Sequence, residues 1–461
     1  MLDKVLDEID SGLKASLDRL FDLLRIDSIS TDPAYRDSCL RAAEWLADEL
    51  KALGFDASVR PTPGHAMVVA HGPEPAEAKG PHVLFYGHYD VQPVDPLDLW
   101  EAPPFEPKLV TRDDGSRMIV ARGAADDKGQ LMTFIEACRA WKAVTGALPL
   151  KVSILLEGEE ETGSPNMIPF LETVRDELSL DLALVSDTAM WNRETPAVTM
   201  MMRGLVGEEI TITAADRDLH SGRFGGPARN PLKVLSSILA GLHDAHGRVT
   251  IDGFYDHVRE LSEETKAGWR ALDFNEADYL GALGLSECAG EKGRSYLEQN
   301  WARPTCEING IVGGYTGEGF KTVIPSKAMA KVSFRLVADQ DPVKIRNAFR
   351  AHVRDRLPPD CTVEFREHGG SAAVAMPFDS DYLRRATAAL EEEWGRAPAL
   401  VGAGGSIPIV GEFRRMLGMD TLLIGFSLAD DRVHSPNEKF DLSSFHGGIR
   451  SWARIIAAMA G

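Results

Sequence analysis

Apolar positions along this chain switch repeatedly between helical spacing and the two-residue spacing of a strand, and that alternation predicts an α/β architecture. Leu13, Leu17, Leu20, Phe21 and Leu24 share one face of a helix over 13–24, and a second helix is expected over 39–53. Strand-like apolar runs follow at 65–70, 83–87 and 118–121. Leu131, Phe134, Ile135 and Cys138 then return at helical spacing and predict a helix over 130–141. Continuous apolar runs at 152–156 and 182–186 read as buried strands.

Beyond Arg203 the texture changes. Residues 209–213 and 329–337 alternate polar with apolar, as strands with one solvated face do. A helix is expected over 231–242, and another opens at Asp341-Pro342, with Asp as cap and Pro in the first turn, and runs to 357. From about Pro377 the first texture resumes, with a helix at 381–394, a buried strand at 421–426 and a terminal helix at 443–459. The pattern predicts one domain in two parts, 1–203 and 377–461, with a second α+β domain, 204–376, inserted into it. The stretch 252–303 reads as helical without a defined pattern.

A length of 461 residues supports such a division, since single cores stop growing near 250–300 residues. Apolar content of 44% and charged content of 26% are those of a globular protein. The net charge of −20 argues against nucleic acid or an anionic membrane as partner. No run approaches the ~18 apolar residues of a membrane span, and residues 1–12 lack the apolar core of a signal peptide, so a cytoplasmic location is expected. Five scattered cysteines without a C-x-x-C pair fit unpaired thiols in a reducing compartment.

Candidate chemistry gathers where predicted strands end. Glu159, Glu160 and Glu161 crowd one turn after the 152–156 run, a repulsion that a cation or a shared proton relieves. His88 and Asp187 each follow a predicted strand, Asp126 precedes the 130–141 helix, and His434 lies beyond the 421–426 run. The carboxyl edge of an open α/β sheet is where ligands bind, and these groups are expected to converge there from parts of one sheet. Imidazole with carboxylate and no thiolate suits Zn²⁺, Mn²⁺ or Co²⁺ in an open catalytic site. Asp126, Glu161 and Asp187 together carry three negative charges, which two divalent ions plus one hydroxide balance. Asp90, two residues after His88 in an extended segment, can accept the other ring N–H of that histidine. Each fragment alone has a structural alternative: Asp126-Asp127 as a helix cap, His434 and His220 as turn residues, Arg335 as an exposed strand residue. The glycine-rich run Gly314 to Thr322 resembles a phosphate loop, but Phe320 breaks the required Gly-Lys adjacency.

Six stretches, in order, resemble the M20 family of metallopeptidases. They are Gly87 to Pro93, Arg122 to Gly129, Glu157 to Ser164, Ser186-Asp187, Leu219-His220-Ser221-Gly222 and His434-Ser435-Pro436-Asn437-Glu438. Phe224-Gly225-Gly226, Lys321 to Pro325 and Gly404 to Pro408 make the likeness strongest to the carnosinase-like cytosolic dipeptidase branch. The resemblance implies a mixed-sheet dizinc exopeptidase domain with an inserted lid and dimerisation domain. It implies two Zn²⁺ per subunit (Mn²⁺ or Co²⁺ as alternatives), one on His88 and Asp187, the other on Glu161 and His434, bridged by Asp126. A cis peptide after Asp126, Asp90 as orienter of His88 and Glu160 as general base follow from it as well. So does a homodimer in which His220 acts in trans, with Arg335, His368, Thr322 and Ser406 contacting a dipeptide or short peptide. Aligning on Thr162-Gly163-Ser164 selects Glu160 and Glu161 from the three glutamates. The same metals would serve an N-acyl-amino-acid amidohydrolase, and a non-catalytic binding homologue would lack a ligand or the base.

Overall fold

The computed structural model describes residues 1–75, 80–405 and 407–461. Its contacts divide the chain into two compact units, one of Met1–Met200, Met376–Val401 and Glu412–Gly461, the other of Met201–Ala375 and Gly402–Gly411.

The first unit is built on a mixed sheet whose strands run, side by side, Asp56–Arg60, Met67–His71, Val152–Glu157, Val83–His88, Leu182–Val185, Asp420–Leu423 and Ala197–Met202. The central strands are parallel and buried along their length, which is why they read as unbroken apolar runs. Val83–His88 has the next parallel strand, Val152–Glu157, on one side and Leu182–Val185 on the other, so its carboxyl end is the switch point where open α/β sheets bind ligands. Phe85 of that strand stacks on Phe134 of the Lys128–Thr145 helix at 3.9 Å, and Trp452 of the Leu442–Ala460 helix meets both rings edge-on. The Lys128–Thr145 helix is buried on most of its surface and closes on Gly146, whose φ of +81° suits a left-handed cap. The first helix begins at Leu2 rather than at 13, because Val5, Leu6 and Ile9 extend its buried face.

One expectation about this unit needs correction. The strand that leads to Asp126, Arg117–Val120, does not belong to the main sheet. It pairs with Lys108–Thr111 and Lys439–Asp441 in a small antiparallel sheet. In Arg117–Val120 only Ile119 is buried, and so short an apolar run does not say which sheet it joins.

The second unit is a four-stranded antiparallel sheet in the order Thr305–Gly313, Lys327–Leu336, Gly204–Thr213, Thr362–Ser371. Helices Pro231–Ala240 and Pro342–Asp355 bury Leu235, Ile238, Ile345 and Phe349 with Val206, Ile210, Val332 and Phe334 of the sheet. Asp341 caps the second helix by accepting from Val343 N at 2.8 Å. The outer strands, Thr305–Gly313 and Thr362–Ser371, were not legible as strands; most of their residues are exposed, so they lack the apolar repeat. The 252–303 stretch is only partly helical, with Glu263–Arg270, Glu276–Ala282 and a wide turn at Glu298–Ala302. Among the described residues no helix is long and apolar enough to cross a membrane.

Candidate metal centre

His88 ends its strand fully buried, and its ring is held from two sides. Nδ1 lies 3.2 Å from the Asp90 carbonyl oxygen and 3.4 Å from Asp90 Oδ1, while Nε2 lies 3.0 Å from Asp126 Oδ1. With Nδ1–H donating to Asp90, a neutral ring turns a lone pair toward a carboxylate oxygen. Two acceptors facing each other require a proton or a cation between them.

Asp126 is met from the other side by His434, with Nε2 at 2.9 Å from Asp126 Oδ2 and 3.2 Å from Glu161 Oε2. His434 sits on an exposed loop with φ of +61°, a left-handed conformation costly for a residue other than glycine and concentrated at functional sites. The donor atoms of His88, Asp126 and Asp187 lie within 4.8 Å of one another, and so do those of Asp126, Glu161 and His434. Two donor trios therefore share one carboxylate.

The glutamate turn owes its shape to Asp90. Its Oδ1 and Oδ2 accept from the backbone N–H of Glu160 and Glu161 at 3.2 and 3.1 Å. The Asp90 carboxylate thus serves the turn first, and its carbonyl is the nearer partner of His88. Glu159 faces elsewhere, accepting from His65 N at 2.8 Å and from Asn166 Nδ2. Glu161 also accepts from Gln92 Nε2 at 2.7 Å.

Titration shifts follow from this crowding. Burial, reinforced by the charges of Asp126 and Asp127, pushes the Asp187 carboxyl well above the ordinary carboxylate range. Burial also raises Glu160 to about 7, with Glu161 adding to the effect. Hydrogen bonds to Asp126 and Glu161 lift the His434 imidazole to about 10. Burial works against charge on His88, but its bonds to Asp126 and Asp90 outweigh that and hold it well above its usual value. Asp187 and Glu160 held against ionisation, beside two imidazoles held protonated around Asp126, mark a crowded acidic site that favours positive charge. The donor set, carboxylate and imidazole without thiolate, fits hard-to-borderline divalent ions.

Several supporting groups went unread in the sequence. Asp127 accepts from His88 N at 3.1 Å, and the Asp126-Asp127 peptide is cis, as the resemblance implied. Tyr86 donates to the buried Glu157 at 2.6 Å, and Glu438 binds the loop before Asp126. Asp127, Glu157 and Glu438 all lie inside the quoted motif stretches, so their place in the motif was the available signal.

The remaining candidates lie in the second unit. His220 is exposed, and its Nδ1 accepts from Gly222 N at 3.0 Å, which leaves the ring hydrogen on Nε2. Thr322, also exposed, is its neighbour: Ser221 N donates to the Thr322 carbonyl at 3.0 Å. Arg335 is half-buried on the Lys327–Leu336 strand, and burial, with the charge of Arg335 adding to it, pulls Arg203 down to about 10. His368 is exposed, 3.4 Å from Glu209. Ser406 lies outside the described residues.

Residues 84–458 match Peptidase family M20/M25/M40. The chain is 31% identical to the Cys-Gly metallodipeptidase of Saccharomyces cerevisiae over 99% of its own length and 97% of that protein. It is 29% identical to the human Beta-Ala-His dipeptidase, covering 100% of this chain and 93% of the other. Among solved structures, an M20 family metallo-carboxypeptidase from Sulfolobus solfataricus superposes with a TM-score of 0.83 at 31% identity, over 96% of this chain and 99% of that one. By the extent of the family match and of these full-length likenesses, the chain belongs to Peptidase family M20/M25/M40, whose members are metallopeptidases using divalent ions.

Proposed function

We propose that the protein hydrolyses the peptide bond of dipeptides with two divalent cations per subunit, zinc in the first instance and Mn²⁺ or Co²⁺ as substitutes. The observation that carries this reading is the pair of donor trios sharing Asp126, with Glu160 alongside. Metal-dependent dipeptide hydrolysis is supported by the relatives named as a Cys-Gly metallodipeptidase and a Beta-Ala-His dipeptidase. His88 and Asp187 would hold one ion, Glu161 and His434 the other, and Asp126 both. When bound, the ions supply a water acidified toward neutral pH and a polarised scissile carbonyl.

This chain's own residues then do the rest. Glu160, with a carboxyl poised at about 7, takes the water's proton and returns it to the departing amine nitrogen. Asp90 holds both the His88 ring and the backbone on which Glu160 and Glu161 stand. His220 would donate its Nε2–H to the oxyanion, acting in trans across a homodimer formed through the inserted unit. Arg335, with its planar fork of donors, would bind the substrate's C-terminal carboxylate, and His368, Thr322 and Ser406 would line the same end. A cytoplasmic location belongs to the same reading.

The test is metal analysis of gently purified protein, beside turnover on a panel of dipeptides and N-acyl amino acids. Two ions per chain with dipeptide turnover are expected. Preference for acyl amino acids would make the protein an amidohydrolase, and absence of both metal and metal-restored turnover would overturn catalysis altogether.

A further inference from the structure

Glu438 is fully buried and takes no part in the chemistry above, yet its carboxylate is saturated with donors. Oε1 accepts from the backbone N–H of Ala125 at 2.9 Å and of Asp126 at 3.1 Å. Oε2 accepts from Gly123 N at 3.0 Å and from Arg122 Nη1 at 2.8 Å. The Arg122 side chain, 1% exposed, also donates to the Pro93 carbonyl at 2.9 Å and lies over the Trp100 ring. Backbone pairing reinforces the join, since Ala121 N donates to the Glu438 carbonyl at 3.1 Å. Four residues before this clasp stands His434, whose side chain is 52% exposed.

We infer that Glu438 is a positioning residue: its carboxylate locks the backbone of Asp126 to the segment carrying His434, and so sets the separation between those two donors. This rests on the reading of both residues as cation ligands. The physical argument is one of distance control. A half-exposed imidazole on a loop is held to about a rotamer's freedom by itself. Tied four residues away to the very backbone whose side chain it faces, it cannot drift without breaking buried, charge-assisted hydrogen bonds. An isosteric glutamine cannot substitute, because one terminal atom becomes an NH₂ group facing two N–H donors in either orientation.

The experiment compares wild type, Glu438→Gln and Glu438→Asp for stepwise zinc affinity by chelator competition, with His434→Ala and His88→Ala marking which step belongs to which ion. Melting of the cation-free proteins is followed in parallel. Both Glu438 variants are expected to weaken the ion that His434→Ala removes by about 10–100-fold, the usual cost of losing an outer partner of a ligand. The ion that His88→Ala removes should weaken at least tenfold less. Unchanged affinity, or an equal loss at both ions, overturns the inference. Should Glu438→Gln fail to fold, Glu438→Asp decides; failure of both to fold also overturns it, because the group would then hold the unit rather than the ligand. A wild type that binds no pair of cations sinks the proposed function itself, and this inference with it.

Discussion

His88 and His434 approach one carboxylate from opposite sides, at 3.0 and 2.9 Å from the two oxygens of Asp126, but they get there by different means. His88 is the last residue of a core strand, fully buried, with its backbone N–H given to Asp127 and its Nδ1 to Asp90. His434 is half-exposed, on a loop in a left-handed conformation. The first is placed by the packing of the sheet. The second is placed by a loop whose geometry is imposed from a few residues away. One half of the centre is therefore ready as soon as the unit folds, while the other depends on a local constraint that can loosen without the fold noticing.

The variant with the largest expected effect strikes between the two sides. Glu160→Gln should lower turnover by ~10²–10⁴ while both cations stay bound; a variant that still turns over at the wild-type rate would remove Glu160 from the chemistry. Next comes His220→Ala, for which the loss of an oxyanion donor predicts a ~10²–10³-fold fall in turnover. Mixed with inactive Glu160→Gln subunits it should recover part of the activity, and confirmed heterodimers without recovery would refute a role in trans.

The contrast itself is sharpened by stability. Removing the buried His88 leaves carboxylates uncompensated, so His88→Ala should destabilise the cation-free protein by about 3–5 kcal/mol. The half-exposed His434, its ion pairs partly screened by solvent, should cost less on truncation than His88. Equal losses in denaturant titrations would erase the distinction.

The smallest effect is a matter of protons. His434 is held up at about 10 against an ordinary 6.5, so its contribution to stability is complete below pH 6.5 and is lost as pH rises through 10. Glu160, raised from 4.5 to about 7 by burial, favours folding below 4.5 and loses that as pH rises through 7. Both terms make the cation-free protein less stable with rising pH. At pH 8 cation binding should expel about one proton from His434, a release readable by calorimetry in buffers of different ionisation enthalpy and absent in His434→Ala.

Much of this was visible in the residues. Buried parallel strands announce themselves as unbroken apolar runs, and His88, the glutamate turn and Asp187 could be placed at strand ends because strand length and direction are local properties. The exposed outer strands of the second sheet could not be seen, since pairing to a neighbour holds them and not an apolar face. Nor could the separate small sheet of Arg117–Val120, whose partners include residues 439–441.

By itself, the sequence determined the alternation of helix and strand, the order of the motifs, the family and the kinds of donor available. Tertiary structure alone decided that Glu159, set aside by the motif, turns to Asn166, which atoms of Asp90 serve the turn, and that Glu438 grips a loop 312–316 residues earlier in the chain. The reason is physical. Periodicity is written in neighbouring residues, whereas the direction of a side chain at a crowded site is set by whichever distant donors and acceptors the packed core brings within about 3 Å of it.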